Sequence, residues 1–318
     1  MTTAESVLDP VESVSDDPSG PKSKSWTQQI TLTVFIVLPF VATVLAVPLT
    51  WNRGLGYRDA IIAGVLYAIS GLGITVGYHR YLTHRGFKTS RPVRIGLAIA
   101  GCLALQATPI QWVADHRRHH RFSDKPGDPH SPWRYGESAK ALTKGFFYSH
   151  VGWLYDWETT NEQRYAPDLV GDPDMVFISR FYVAWVALSL LIAPLVGGLW
   201  GWSWNAALTA FIWGSLVRIF VLHHVTFSIN SVCHITGKRP FKTKDRSQNV
   251  WWLSILSFGE SWHNFHHAEP SSARHGVRTF EVDLSAGLIK AMEKVRLVRD
   301  VRWPDRATID RRRAVAAA

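Results

Sequence analysis

The chain has 318 residues, of which 47% are apolar and fifteen are Trp, and the length admits one large domain or two small ones. So much Trp is unusual for a soluble domain and suits a protein of the membrane interface. The net charge of +10 admits nucleic acid, anionic lipid or an acidic partner, while two cysteines, Cys102 and Cys233, are too few for a thiolate-held iron–sulfur cluster or a Cys-based zinc site.

Residues 1–25 are rich in Ser, Pro and Asp and predict a disordered tail. The tail lacks the basic start and small-residue cleavage site of a signal peptide. The folded domain is expected over 26–300, followed by a basic tail over 301–318 that carries Arg311, Arg312 and Arg313.

An uncharged apolar run from Ile30 to Thr50 is long enough to cross a hydrocarbon core about 30 Å thick. A short loop leads to a second run over 60–78, whose Gly64, Gly71, Gly73 and Gly77 offer close helix–helix approach. These two spans form an antiparallel hairpin. It delivers the first histidine cluster, His79-Arg-Tyr-Leu-Thr-His84, to the side on which the N-terminus began.

Residues 95–110 are apolar, but sixteen residues reach only about 24 Å. If they crossed, the second cluster, His116-Arg-Arg-His119-His120, would lie opposite the first. A re-entrant or interfacial helix is therefore expected. Polar sequence with Asp-Lys-Pro-Gly-Asp-Pro turns at 124–129 follows, and then two further spans over 181–200 and 202–222. Arg218, inside the fourth span, is costly there unless paired or facing a polar cavity. The chain returns with Asn230-Ser-Val-Cys-His234, then His263-Asn-Phe-His266-His267, an amphipathic helix near 283–297 and the basic tail. The fold class expected is all-α and membrane-integral, with four spans in two hairpins under a helical cap.

The hairpin tips carry only Arg53 and Arg58, so the positive-inside rule makes the opposite, Lys- and Arg-rich side cytoplasmic. A basic, Trp-flanked face on such a protein meets lipid head groups, and no groove-reading motif argues for nucleic acid.

Nine of the fourteen histidines thus fall in four short segments. On a helix, positions i, i+3 and i+4 share a face, so His116, His119 and His120 point together, as do His263, His266 and His267. Asn230 and His234 would share a face as well. His79 and His84 lie about 140° apart on an ideal helix, so that helix must end or distort there. Nine imidazoles are too many for one ion and suit two metals with four or five nitrogens each. Such a shell fits iron, although zinc and copper also bind imidazole. His223, seven before Asn230, is expected as a hydrogen-bonded neighbour, and His130 and His150 as structural.

These motifs, His79-x-x-x-x-His84, Asp115-His116-Arg-Arg-His119-His120, Asn230-x-x-x-His234 and Gly259-Glu-Ser-Trp-His263-Asn-Phe-His266-His267, resemble the membrane-bound fatty acyl desaturase family, in its stearoyl-CoA desaturase-like branch and of bacterial type. The resemblance implies a di-iron centre held by His79, His84, His116, His119, His120, His234, His263, His266 and His267, with Asn230 a water-mediated tenth contact. It implies a reaction in which dioxygen and two electrons remove two hydrogens from an unactivated methylene pair. A cis double bond results, expected at Δ9 of a long saturated chain. Trp112 and Thr226 match positions lining the bend of the acyl channel, although ordinary packing explains both equally well.

Acyl-CoA is the substrate the branch implies. The sequence departs from the animal pattern at Ala114-Asp115 and after Trp153, so acyl-lipid and acyl-carrier-protein substrates stay open, as does hydroxylation. No haem, flavin or ferredoxin motif is present, so a separate ferredoxin-like or cytochrome-like donor with its reductase is expected. A non-catalytic membrane metal-binding or transport protein is the other class of reading. Against it, the clusters flank the spans on one side rather than lining a path through them.

Overall fold

The structure is a computed structural model that describes residues 23–50 and 56–313, without the side chains of 47–50. The expected disordered tail up to residue 22, Arg53 and residues 314–318 lie outside the described residues. Four helices are long and apolar enough to cross a membrane: Trp26–Ala46, Tyr57–Thr83, Tyr182–Gly201 and Trp204–His234. They match the four expected spans. The second and fourth run past their expected ends at Tyr78 and Leu222, and both extensions carry histidines of the site. Apolar side chains along the first and third spans, such as Val34, Val41, Leu191 and Leu195, face outward, as lipid contact requires.

The first span lies in α1 (Trp26–Thr50). The second is α2 (Tyr57–Leu72), continued by a π-helical stretch over Gly73–Thr83. The glycines of that stretch have a packing reason. A Cβ on Gly77 would sit 2.8 Å from the carbonyl oxygen of Leu97, and one on Gly73 would collide with the backbone of Ala100 and Gly101. Gly64, expected to serve the same purpose, faces open space.

The helix packed into that groove is α3 (Arg91–Cys102), only about 18 Å long. The chain then breaks over 103–108, with Leu105 (φ 57°) and Ala107 (φ 102°) in left-handed conformations, and returns as α4 (Pro109–Phe122). The stretch over 95–110 is therefore re-entrant, as expected, but it is a helix, a turn and the start of a second helix. Backbone that breaks at membrane depth must find partners inside the protein. Here the Leu103 carbonyl accepts from Arg218 (2.9 Å) and Ser189 (2.7 Å), the Ala104 carbonyl from His223 (2.8 Å), and the Ala107 N–H donates to Tyr182 Oη (3.1 Å). Arg218 also donates to the carbonyls of Gly214 (3.0 Å) and Ser189 (3.2 Å). Its burial inside the fourth span is explained by these acceptors.

The third span is α6 (Tyr182–Gly201), with α5 (Ala139–His150) before it on the cap side. The fourth runs through α7 (Trp204–Ala210), a second π stretch over Phe211–Val217, and α8 (Arg218–Asn230). The helix ends there. His234 sits in a separate 3-10 turn, Val232–His234, so the expected single helical face for Asn230 and His234 is not formed. The cap adds α9 (His263–Ala268) and the amphipathic α10 (Leu284–Lys294), which is N-capped by Asp283 and falls within the expected 283–297. A short antiparallel pair, β1 (Lys88–Thr89) with β2 (Val298–Arg299), ties the loop after the first cluster to the segment after α10.

Two segments expected to be tails are partly anchored. Lys24 Nζ donates to the carbonyls of Leu154 (2.6 Å) and Asp156 (2.7 Å), so the chain is already anchored just ahead of residue 26. The basic C-terminal segment forms α11 (Arg306–Arg312), whose Arg312 carbonyl accepts from Lys242 N–H (2.8 Å) and whose guanidinium meets Glu269 (3.1 Å). Through residue 313 it is anchored behind the third cluster, with Arg311, Arg312 and Arg313 exposed to solvent.

Candidate metal centre

The π stretch solves the spacing problem of the first cluster. Its hydrogen bonds close five residues back, as in His84 N–H to the His79 carbonyl (3.1 Å), which brings positions five apart onto one face. The two rings lie 4.9 Å apart. The second cluster rides on α4, whose start is fixed by Thr108 accepting from Gln111 N–H (3.1 Å) and by Pro109 at its first position. The third rides on α9, pinned by Asn264: its backbone N–H donates to Asn249 Oδ1 (2.8 Å), and its side-chain carbonyl accepts from Phe241 N–H (2.8 Å).

The nine histidines divide into two groups. His79, His84, His116, His120 and His266 form one, and His119, His234, His263 and His267 the other, with one nitrogen of each residue within 4.8 Å of those of its group. The second and third clusters feed both groups, whereas the first feeds only the five-histidine group and His234 only the four-histidine group. On α4, His116 and His120 face one group while His119 faces the other; on α9, His266 faces the first group, and His263 and His267 the second.

Within the first group, the Nε2 atoms of His79 and His266 are 3.0 Å apart, those of His116 and His120 3.0 Å, and those of His266 and His120 2.9 Å. In the second, His263 Nε2 lies 3.1 Å from that of His234 and 3.0 Å from that of His267. Two nitrogens at right angles on one ion, each about 2.1 Å from it, lie about 3 Å apart. His84 Nε2 and His119 Nε2 are buried and have no hydrogen-bond partner among the described residues. Convergent lone pairs and unpartnered buried acceptors fit a metal cation in each group.

Electrostatics agree. Burial first, and neighbouring positive or imidazole groups second, push the ring pKa values of His84, His116, His120, His263, His266 and His267 well below the ordinary 6.5. At neutral pH these rings are uncharged and able to bind metal.

The sequence reading missed the carboxylates behind the rings. His119 Nδ1 donates to Asp128 (3.0 Å), His234 Nδ1 to Asp124 (2.8 Å), His267 Nδ1 to Asp245 (2.9 Å), and His79 Nδ1 to Glu260. A donated Nδ1–H fixes the tautomer that leaves Nε2 free for a metal. Burial opposes ionisation of Asp124, but the His234 ring and the Arg246 backbone N–H outweigh it and hold the carboxyl down to about 2. Asp124 and Asp128 are the acids of the Asp-Lys-Pro-Gly-Asp turn, and Glu260 belongs to Gly-Glu-Ser-Trp. Their signal was position beside a His cluster.

Trp112 stacks on His116 with ring centroids 5.0 Å apart and stands edge-on to His79 at 6.0 Å, flanking the five-histidine group. Thr226 Oγ accepts from Gln106 Nε2 (3.0 Å) and donates to the Leu222 carbonyl (3.0 Å). Gln106, which sequence reasoning also missed, sits between the two left-handed residues of the re-entrant turn. Asn230 is half-buried at the end of α8. Its neighbour Ser231 lies 2.9 Å from His150 Nδ1, and the other ring nitrogen of His150 is 2.9 Å from His224 Nδ1, so His150 is held structurally, outside both groups. His130 and His275 are buried beside the centre, 4.4 Å from the ring of His119 and 4.5 Å from that of His266.

A profile of the family described as "Fatty acid desaturase" matches residues 59–288. The chain is 41% identical over 279 residues to a hex-5-enoyl-[acyl-carrier protein] acetylenase of Moorena producens (strain JHB), covering 87% of each chain. It is 40% identical over 247 residues to Delta-9 acyl-lipid desaturase 1 of Arabidopsis thaliana, covering 76% of this chain and 75% of that one. To an sn-1 stearoyl-lipid 9-desaturase of Anabaena variabilis it is 38% identical over 249 residues, covering 77% and 84%.

Proposed function

The chain belongs to the fatty acid desaturase family, and from that premise we propose that it is a di-iron oxidoreductase that inserts a cis double bond, at Δ9, into a long saturated acyl chain. The observation that carries this reading is the division of nine buried or half-buried histidines into two adjoining groups of five and four. Neither acid–base groups nor a Ser or Cys nucleophile breaks an unactivated C–H bond. Two iron ions held by the nine histidines, with Asn230 contributing through water, would supply the dioxygen-dependent oxidation.

The protein's own part is positioning. The carboxylate-bonded Nδ1 atoms keep the rings in one tautomer and orientation. Trp112, wedged against His116 and His79, offers a rigid wall against which a methylene pair can be held beside the five-histidine group, and the Gln106–Thr226 pair ties down the turn that leads into α4. The buried setting keeps bulk water from the reacting carbons.

Among acyl carriers, a membrane lipid is the reading the relatives favour: two of the three named above act on acyl lipids and one on an acyl-carrier protein. None of these three is named for acyl-CoA. The electrons come from a separate acidic ferredoxin-like or cytochrome-like protein with its reductase, drawn to the basic cytoplasmic side. Its encounter rate should fall as salt is raised.

The test is expression in a bacterial host fed labelled stearate, with lipids, acyl-CoA and acyl-carrier protein separated early after the pulse. Label appearing first as a monounsaturated chain on glycerolipid supports the acyl-lipid reading. First appearance on CoA or carrier protein overturns that choice of carrier.

A further inference from the structure

The two histidine groups differ in what stands behind them. In the four-histidine group three rings donate to carboxylates: His119 to Asp128, His234 to Asp124 and His267 to Asp245. Among the described residues no Lys or Arg side chain pairs with any of these three acids; their remaining partners are backbone N–H groups and hydroxyls, such as Arg246 N–H and Ser131 on Asp124 and Ser247 on Asp245, and the His130 ring, 3.9 Å from Asp128. In the five-histidine group only His79 has a carboxylate partner, Glu260. That carboxylate is shared with the buried Arg80, which reaches Glu260 Oε1 at 2.9 Å and also meets Asp283 at 3.0 Å.

From this asymmetry we infer that the two metal positions are unequal: the four-histidine position binds its ion more tightly, and the five-histidine position empties first. The inference rests on the two-metal reading above. A carboxylate accepting the Nδ1 proton makes the ring a stronger donor through Nε2, and loss of such a partner typically costs about 10–100-fold in metal affinity. Three carboxylates without a cationic side chain also attract a dication more strongly than Glu260 and Asp283 with Arg80 between them, whose charges sum to one negative. The fifth imidazole of the other group works in the opposite direction. It is a neutral ligand, whereas the difference in charge acts on the ion whatever its coordination number.

The experiment uses the full chain in lipid nanodiscs, loaded with iron(II) without oxygen and then exposed to excess EDTA, with bound iron counted by elemental analysis over time. Release in two phases is expected, one ion per chain leaving at least about tenfold sooner than the other. Asp128→Asn and Asp124→Asn should each speed the slow phase about 10–100-fold and leave the fast phase unchanged, while Glu260→Gln should act on the fast phase alone. A general loosening of the fold would move both phases together. Release of two ions in a single phase overturns the inference, as does an Asp128→Asn variant that speeds only the fast ion. Binding of fewer than two ions by the wild type contradicts instead the two-metal reading on which it stands.

Discussion

The guanidinium of Arg218, in the fourth span, lies 2.9 Å from the carbonyl of Leu103, the first residue beyond α3. This bond supports the point where the chain stops descending and turns back toward the site. It makes α4, and with it His116, His119 and His120, lie on the same side as His79 and His84. Arg218→Leu would take one donor from each of the carbonyls of Leu103, Gly214 and Ser189, the first of which keeps Ser189 Oγ. A hydrogen bond to a charged group contributes about 1.5–3 kcal/mol. The variant should melt several degrees below the wild type in detergent and bind less iron. An unchanged melting temperature would mean that the re-entrant turn is held by other contacts.

His119→Ala removes one of four nitrogens from the second group while leaving the spans intact. It should insert in membranes at the wild-type level, lose iron and lose activity. His130→Ala, whose ring stacks on His119 and touches Trp153 and Asp128 outside the five- and four-histidine groups, should retain iron. Iron content of purified protein separates the two. Full retention by His119→Ala, or loss by His130→Ala, would redraw the ligand set.

Thr226→Val keeps the volume of the side chain but removes the acceptor for Gln106. With the re-entrant turn freed from that anchor, the acyl chain should be held less sharply. Iron content should stay at the wild-type level while turnover drops and the double-bond position spreads to neighbouring carbons. Gas chromatography of the products reads both effects. An unchanged product at an unchanged rate would assign Thr226 to ordinary packing.

Metal retention should depend on pH. Burial lowers the ring pKa values of His84, His116, His120, His263, His266 and His267 below the 6.5 of the unfolded chain. Below pH 6.5 the unfolded state binds more protons than the folded one, so this contribution to stability is present above that pH and is lost as pH falls. Protons also compete with metal for the same nitrogens. Iron release into a chelator should therefore quicken roughly tenfold or more from pH 7.5 to pH 5.5, with no comparable change from 7.5 to 8.5. A flat profile would contradict neutral imidazole ligands.

Much of this site was legible because histidine clusters carry their own spacing. His116, His119 and His120 share a helical face by arithmetic alone, and the one-sided topology required of them made the stretch over 95–110 non-spanning. The break inside that stretch was not legible, because Leu105 and Ala107 take left-handed conformations without a glycine to announce them. Gln106 was hidden for the same reason. The acids were hidden differently. Asp124 and Asp128 looked like turn residues, and they are, but the turn also aims both carboxylates back at His234 and His119. Asp245 lies 22 residues from His267, in a loop without period, and only the folded chain brings it to the ring. The five-residue spacing of His79 and His84 pointed to a distorted helix. That the distortion is a π stretch running into the first cluster follows from the hydrogen-bond pattern alone.

The central claim is that nine imidazoles hold a centre able to take two hydrogens from neighbouring methylenes. It is tested most directly by supplying stearate deuterated at carbons 9 and 10 to cells making the protein, with oxygen present, and analysing the fatty acids by mass spectrometry. A cis monounsaturated chain that has lost two hydrogens or deuteriums from that pair is expected, absent in cells making His119→Ala. A hydroxylated chain, or unchanged stearate from protein that carries both irons and receives electrons, would contradict it.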